Sequence, residues 1–227
     1  MKSADSKVPY RVAECLLGIL FCFPGSQLSA AVDAGKAAEG LERRYASVKT
    51  VTGSFRQTYR APGIDQTESG VFWLKRPGFM RWEYREPEEK LFVADGRESF
   101  LFVPLDRQVT VQPLQASDLR GMPLELLLGS GNIRQNFDVT WEEEFKPRTE
   151  RASLIRLTPR SSEAQYSFLV LELDEETNDL RRIILRERTG NTSEFLLTDI
   201  RTNINIEDKQ FRFKIPKGVE VIRLTNE

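Results

Sequence analysis

Histidine does not occur once in the 227 residues. Its absence removes a Ser-His-Asp triad, a Cys-His pair and every histidine-based metal site. Cysteine occurs only at Cys15 and Cys22, both inside one apolar run near the amino terminus. Everything after that run therefore has no thiol for a disulfide or a metal cage. Long hydrophobic runs are missing as well: the clearest, Cys15 to Phe23, covers nine residues, too few for a bilayer core of roughly 30 Å. Neither sign of charge dominates, with 33 Lys and Arg against 34 Asp and Glu and a formal net charge of −1. That balance gives no electrostatic case for nucleic acid, nor for a permanent hold on anionic headgroups. No Gly-rich phosphate loop or nucleotide fingerprint is present. Carboxylates are plentiful, but no pair stands beside an aromatic sugar-binding stretch. The chain does not read as an enzyme, and no cofactor or metal is expected.

What is present begins with an export signal. Lys2, Lys7 and Arg11 precede the apolar run, Pro24-Gly25 breaks it, and Ser29-Ala30-Ala31 offers small residues for cleavage. This is the layout of a secretory signal over residues 1–31, leaving a single domain at 32–227; a short membrane anchor is the other reading. Glu14 and Phe21 stand before the two cysteines, where lipoprotein processing would need a small residue, so acylation there is disfavoured.

The rest alternates in a strand-like way. Asp33 to Ser47 is the exception, with Ala34, Ala37, Ala38, Leu41 and Tyr45 at helical spacing and Asp33 as N-cap. Strands are expected at Val51–Tyr59, on both sides of Lys75-Arg76-Pro77-Gly78, on both sides of Asp95-Gly96, and at Val109–Val111. They resume at Val139–Glu143, Ser153–Leu157, Ser167–Leu173, Leu180–Arg186, Glu194–Ile206 and Phe211–Ile215. The hairpin Gly70–Tyr84 is the most informative piece: Met80, Trp82 and Tyr84 share one face, and an arginine sits where the chain turns. Met122 to Gly129 breaks the pattern, with Pro123 at a first helical position, Gly129 past the end, and Glu125 as the one polar residue from Met122 to Leu128. Such a helix must be covered on more than one side. Glu142-Glu143-Glu144 and Arg181-Arg182 read as solvated strand edges. Many strands and few helices indicate a mainly β fold, a strongly curved antiparallel sheet or barrel.

These segments in this order resemble the LolA family, periplasmic carriers that move lipoproteins between the two membranes of Gram-negative bacteria. The resemblance rests on W-L-K-R-P-G-F-M-R-W-E-Y at Trp73–Tyr84, V-A-D-G at Val93–Gly96, P-L-E-L-L-L-G at Pro123–Gly129, D-I-R-T-N-I-N-I at Asp199–Ile206 and F-R-F-K-I-P-K-G-V at Phe211–Val219. It implies an unclosed, strongly curved antiparallel β-barrel with short helices forming a lid over an apolar cavity. It implies that Arg76 bonds to backbone of the lid and holds it shut, and that Pro123, Leu124, Leu127 and Leu128 belong to that lid. Tyr45, Phe55, Met80, Trp82, Tyr84, Phe100, Phe102 and Leu126 are the candidates for cavity-lining positions. Met80 departs from the phenylalanine common there, a flexible apolar replacement.

The function implied is carriage of lipoprotein acyl chains through the periplasm by a monomer. Cargo would come from an inner-membrane ABC transporter (LolCDE-like) and pass to an outer-membrane acceptor lipoprotein (LolB-like). A lipid or glycolipid carrier, or an envelope-stress sensing module with the same half-barrel, is the alternative.

Overall fold

Among the described residues twelve strands hydrogen-bond into one sheet in the order β12-β6-β5-β4-β3-β2-β1-β11-β10-β9-β8-β7, with β12 and β7 at its two ends. The computed structural model describes residues 33–114, 132–162, 164 and 166–224. The expected strand pattern holds for most of its length: β1 Thr50–Ala61, β2 Ile64–Lys75, β3 Phe79–Glu86, β4 Lys90–Asp95, β5 Glu98–Val103, β6 Gln108–Pro113, β7 Phe137–Trp141, β8 Ala152–Pro159, β9 Tyr166–Asp174, β10 Leu180–Glu187 and β11 Thr192–Thr202. All neighbours are antiparallel except the last: β12, Glu220–Arg223, runs parallel to β6. Phe211–Ile215 is not a strand. The chain there leaves a 3-10 turn at Asp208–Phe211 and continues as an extended cover.

Helix α1, Ala34–Ala46, starts where its cap predicts, with Asp33 Oδ1 accepting from the Gly35 amide at 3.1 Å. Its small residues Ala34 and Ala38 let it lie close to the sheet, and Leu41 and Tyr45 are buried beneath it. A short helix α2, Ile133–Asn136, packs beside it, and the Ile133 amide donates to Glu42 Oε1 at 2.6 Å. Arg44 Nε reaches Asp179 Oδ1 at 2.7 Å, and the Leu180 amide donates to the Tyr45 hydroxyl at 3.3 Å. α1 is thereby moored to the β9–β10 turn.

Two glycines make the curvature possible. At Gly70 a Cβ would lie 1.9 Å from the Glu83 carbonyl oxygen, and the β2–β3 register shifts beside it. At Gly53 a Cβ would lie 2.8 Å from the Thr198 carbonyl oxygen, next to the register shift between β1 and β11. Bulges and side-chain-free positions are what let a sheet bend this sharply. The Phe55 ring covers the gap over Gly70, where β1, β2 and β3 align Phe55, Gly70 and Tyr84 in one row, and meets the Tyr84 ring at 5.0 Å.

The inner face carries the main core. Phe55, Phe72, Leu74, Met80 and Trp82 come from one half; Ile155, Leu157, Leu169, Leu171 and Ile183 come from the other. Two smaller cores lie on the outer face. Val93, Phe100, Val109 and Val111 are covered by Phe213, Ile215 and Val219 of the C-terminal segment. Leu154, Val170 and Ile184 are covered by Phe145, in the connection between β7 and β8.

That connection is tied down by charge, and here the structure corrects the expected solvated edges. Arg182 and Glu172 are buried. Glu172 accepts from the Arg148 and Thr149 amides and the Thr149 hydroxyl. Arg182 Nη2 donates to the Lys146 carbonyl at 2.6 Å, Nη1 to Glu194 Oε1 at 3.3 Å, and Nε lies 2.7 Å from Glu172 Oε2, off the N–H axis. Glu142 is clasped by Arg156 through two hydrogen bonds, at 2.8 and 3.0 Å. Burial raises the Glu142 carboxyl, but the Arg156 hydrogen bonds and the Phe145 and Glu144 amides outweigh it and hold the pKa below the ordinary range. Arg182, Glu172 and Glu142 became anchoring because each found an opposite partner on a neighbouring strand or connection, while Glu143 and Glu144 stay exposed as expected.

Candidate functional site

The inner face is filled along part of its length and open along the rest. Where α1 covers it, Tyr45, Leu74 and Met80 have no exposed surface. Farther along the strands the row Trp82, Phe92, Leu101 crosses β3, β4 and β5 in register. There a cavity of about 310 Å³ opens to solvent, walled by Trp82, Tyr84, Phe92, Leu101 and Phe195, with Glu68 and Lys90. Leu101 is 40% exposed, an unpacked leucine on an otherwise apolar wall. The back of the cavity is rigid aromatic stacking. Trp82 stacks on Phe72 at 4.8 Å, and Phe55 and Phe195 meet it edge-on at 4.7 and 6.2 Å. Interlocked rings of this kind hold their shape without a ligand.

Polar groups are few and local. Lys90 Nζ pairs with Glu68 Oε1 and lies over the Tyr84 ring at 5.7 Å. The Tyr84 hydroxyl donates to Gln57 Oε1 at 3.0 Å. Burial first, and the Glu68 charge second, push its phenol up to about 12, so it stays protonated near neutrality. Trp82 Nε1 is buried and has no acceptor among the described residues. The arrangement offers apolar burial and one ion pair, with no nucleophile–base pair. Among the described residues no group of His, Cys, Asp and Glu could hold a metal.

Arg76 sits at the β2–β3 turn. Its Nη2 donates to the Tyr45 carbonyl oxygen at 3.2 Å, and its amide donates to the Lys49 carbonyl at 2.9 Å. Tyr45 lies in the last turn of α1; its carbonyl oxygen also accepts from the Val48 amide at 3.1 Å, and Arg76 adds a cation to a helix C-terminal end that favours one. Arg76 Nε is buried with no partner among the described residues. Arg76 thus bonds to the end of α1. Pro123, Leu124, Leu126, Leu127 and Leu128 lie outside the described residues, so the expected lid contacts are not on view.

The other cavity candidates divide in three. Trp82 and Tyr84 line the open space. Tyr45, Phe55 and Met80 share its face but are buried in the packed core. Phe100 and Phe102 lie on the opposite face: they pair with Val93 and Leu91, the neighbours of Phe92, and pack against Phe213 at 5.6 and 5.8 Å. Their placement in the cavity is corrected, because alternation put Leu101 inward and its neighbours outward. Phe92, Leu101 and Phe195 were missed. The Trp82↔Phe92↔Leu101 register would have found the first two, had the pairing been known. A second depression of about 380 Å³, on the outer side by Ser54, Arg56, Ser69 and Arg85, is more polar.

Comparison with known proteins supports this architecture. The sequence pattern of the family described as outer membrane lipoprotein carrier protein LolA matches residues 46–214. An outer-membrane lipoprotein carrier protein of Bordetella pertussis is 32% identical over 210 residues, 91% of this chain and 96% of that protein. One from Hahella chejuensis is 31% identical over 86% of this chain and 93% of its own length. A solved uncharacterized conserved protein from Thermus thermophilus superposes with a TM-score of 0.52 at 14% identity, covering 84% of this chain and 99% of its own; that likeness is one of fold alone. With a family pattern running from the end of α1 into the C-terminal cover and relatives matching almost end to end, the chain belongs to the LolA family of outer membrane lipoprotein carrier proteins.

Proposed function

We propose that the protein is a periplasmic carrier, exported by the signal at residues 1–31, that shields lipoprotein acyl chains between the inner and outer membranes. The observation that carries the reading is the open apolar cavity beside Trp82, Phe92 and Leu101 in a sheet whose end strands β12 and β7 do not pair with each other among the described residues. Taking about 30 Å³ per water-sized group, it accommodates roughly ten methylenes, part of one acyl chain. At about 0.8 kcal/mol per buried methylene their transfer is worth up to about 8 kcal/mol, before ordering costs. More hydrocarbon requires the inner face to widen.

In this reading Arg76 governs that widening. α1 is moored to the β9–β10 side, and the Arg76–Tyr45 bond links the β2–β3 rim to the moored helix. Loss of the bond lets β2–β5 swing from α1, uncovering Met80, Phe72 and Leu74 as additional wall. Cargo entry and the Arg76 bond therefore compete, which keeps loaded and empty forms close in free energy and lets cargo leave. The chain has no nucleotide motif, so loading energy comes from a donor, an ABC transporter of the LolCDE type. Unloading runs downhill to an acceptor of the LolB type, and the carrier works as a monomer.

The test is transfer of a purified acylated lipoprotein from carrier to acceptor. Arg76→Leu is expected to load normally and release more slowly than wild type by tenfold or more, as loss of a charge-assisted hydrogen bond worth about 1.5–3 kcal/mol implies. Release at the wild-type rate would sink the latch.

A further inference from the structure

The outer face of the sheet carries a depression of about 380 Å³ for which acyl carriage has no use. The β2–β3 register makes it. Ser69 pairs with Glu86 and Gly70 with Tyr84, so Arg85 is an extra residue in β3, and Gly70 brings no side chain to fill the space. Phe55 packs in the core of the inner face, so alternation turns its neighbours Ser54 and Arg56 outward. Ser54, Arg56, Ser69, Arg85, Glu86 and Thr198 give the lining its polar side chains.

Two charges in that lining are unmatched. Arg56 has no hydrogen bond or ion pair among the described residues, and Glu86 has no cation there, accepting only from the Ser69 hydroxyl at 3.3 Å. Arg85 is nearer to being satisfied, with Glu83 at 3.6 Å. Arg56, Ser69 and Glu86 form one row across β1, β2 and β3. Two strand spacings of about 4.8 Å set the cation and the anion about 10 Å apart at the backbone. An anion alone would meet the Glu86 charge, with Glu88 and Glu89 in the turn that follows. A cation alone would meet Arg56 and Arg85. A small group carrying both signs satisfies both ends of the row. At the basic end two guanidinium forks and the Ser54 hydroxyl offer the donors that suit a phosphate.

We propose that this depression binds a zwitterionic phosphate ester bearing a primary ammonium, of the phosphoethanolamine kind. The phosphate sits at Arg56 and the ammonium at Glu86. About a dozen water-sized groups of about 30 Å³ fit the space, enough for such a head group with its glycerol. A zwitterion asks for no excess of either charge, in keeping with a formal net charge of −1 on the chain. The site lies on the opposite face from the apolar cavity and is independent of what that cavity carries.

The experiment follows backbone amide shifts of the isotope-labelled protein during titration with glycerophosphoethanolamine and with glycerophosphoglycerol, which share the phosphate and differ in the amine. Saturable shifts are expected at Ser54, Arg56, Ser69 and Glu86, with the ethanolamine ester bound about tenfold more tightly. Arg56 and Glu86 are both exposed, so their substitution leaves the fold intact. Glu86→Gln should bring the two esters to equal affinity, and Arg56→Gln should weaken both about tenfold. No saturable shift at these four amides refutes the site. Equal affinity for the two esters in wild type, or a preference that survives Glu86→Gln, refutes the zwitterion. Vesicles of phosphatidylglycerol with and without phosphatidylethanolamine then separate the sources. Retention of wild type but not Arg56→Gln on the mixed vesicles assigns a lipid head group, whereas binding of the soluble ester alone assigns a free one.

Discussion

The strap over β8–β10 and the rim at the β2–β3 turn each hold an arginine, and the two are treated differently. Under the strap, Arg182 of β10 is enclosed by Glu172, Glu194 and the Lys146 carbonyl, and Glu172 gains three further donors from Arg148 and Thr149. At the rim, Arg76 has one side-chain hydrogen bond, to Tyr45, and a buried Nε with nothing to meet among the described residues. A saturated cluster is costly to open, since each group released loses several partners at once. A single bond to a helix end can be exchanged for ligand contacts at small net cost. The same side chain thus anchors one half of the sheet and leaves the other adjustable.

Breaking the saturated site should have the largest effect. Glu172→Ala strands the buried Arg182 charge and is expected to cost about 3–5 kcal/mol in urea unfolding, whereas the double change Glu172→Met and Arg182→Met should recover most of it. If the single change is tolerated as well as the double, the cluster does not anchor the strap. The packed and open parts of the inner face should separate next. Met80→Ala removes a fully buried side chain and should cost about 2–5 kcal/mol; Leu101→Ala, already partly exposed, should change stability by under about 0.5 kcal/mol and show itself in lipid binding instead. Equal stability losses at the two positions would erase the boundary drawn between core and cavity.

The smallest effect is in acid, on the anchored half. Asp174 at the β9–β10 turn has its pKa lowered to about 2, foremost by the hydrogen bond from the Thr177 amide, against some desolvation, with help from Glu176 and Arg181. A carboxyl depressed in the folded state adds stability that is complete above its unfolded pKa of about 4. That contribution is lost as pH falls toward about 2. Melting temperatures measured from pH 5 to 2 should therefore fall more for wild type than for Asp174→Asn. Parallel curves would show that the turn adds nothing.

Local signals were legible where short-range chemistry decides. Asp33 capped α1, Asp95-Gly96 turned β4 into β5 with Asp95 Oδ1 accepting from the Arg97 and Glu98 amides at 2.9 Å, and alternation located most strands. Phe100 and Phe102 show where that legibility stopped. A period of two separates neighbours into two faces but does not say which face is inner, and both faces of β5 are apolar. Phe213 and Val219, more than a hundred residues away in sequence, bury one of them. The charges of Arg182 and Glu142 misled for a similar reason, because their partners come from neighbouring strands and a strap that sequence order keeps apart.

By itself, the sequence determined a mainly β chain without histidine chemistry, an arginine at the turn of an aromatic hairpin, and the family those segments belong to. These follow from residue type and spacing, which act over a few residues. Tertiary structure alone decided that Trp82, Phe92, Leu101 and Phe195 line one open cavity while Tyr45 and Met80 are packed solid. Register and curvature set those distances, and both arise from long-range pairing and from the close backbone approaches at Gly53 and Gly70.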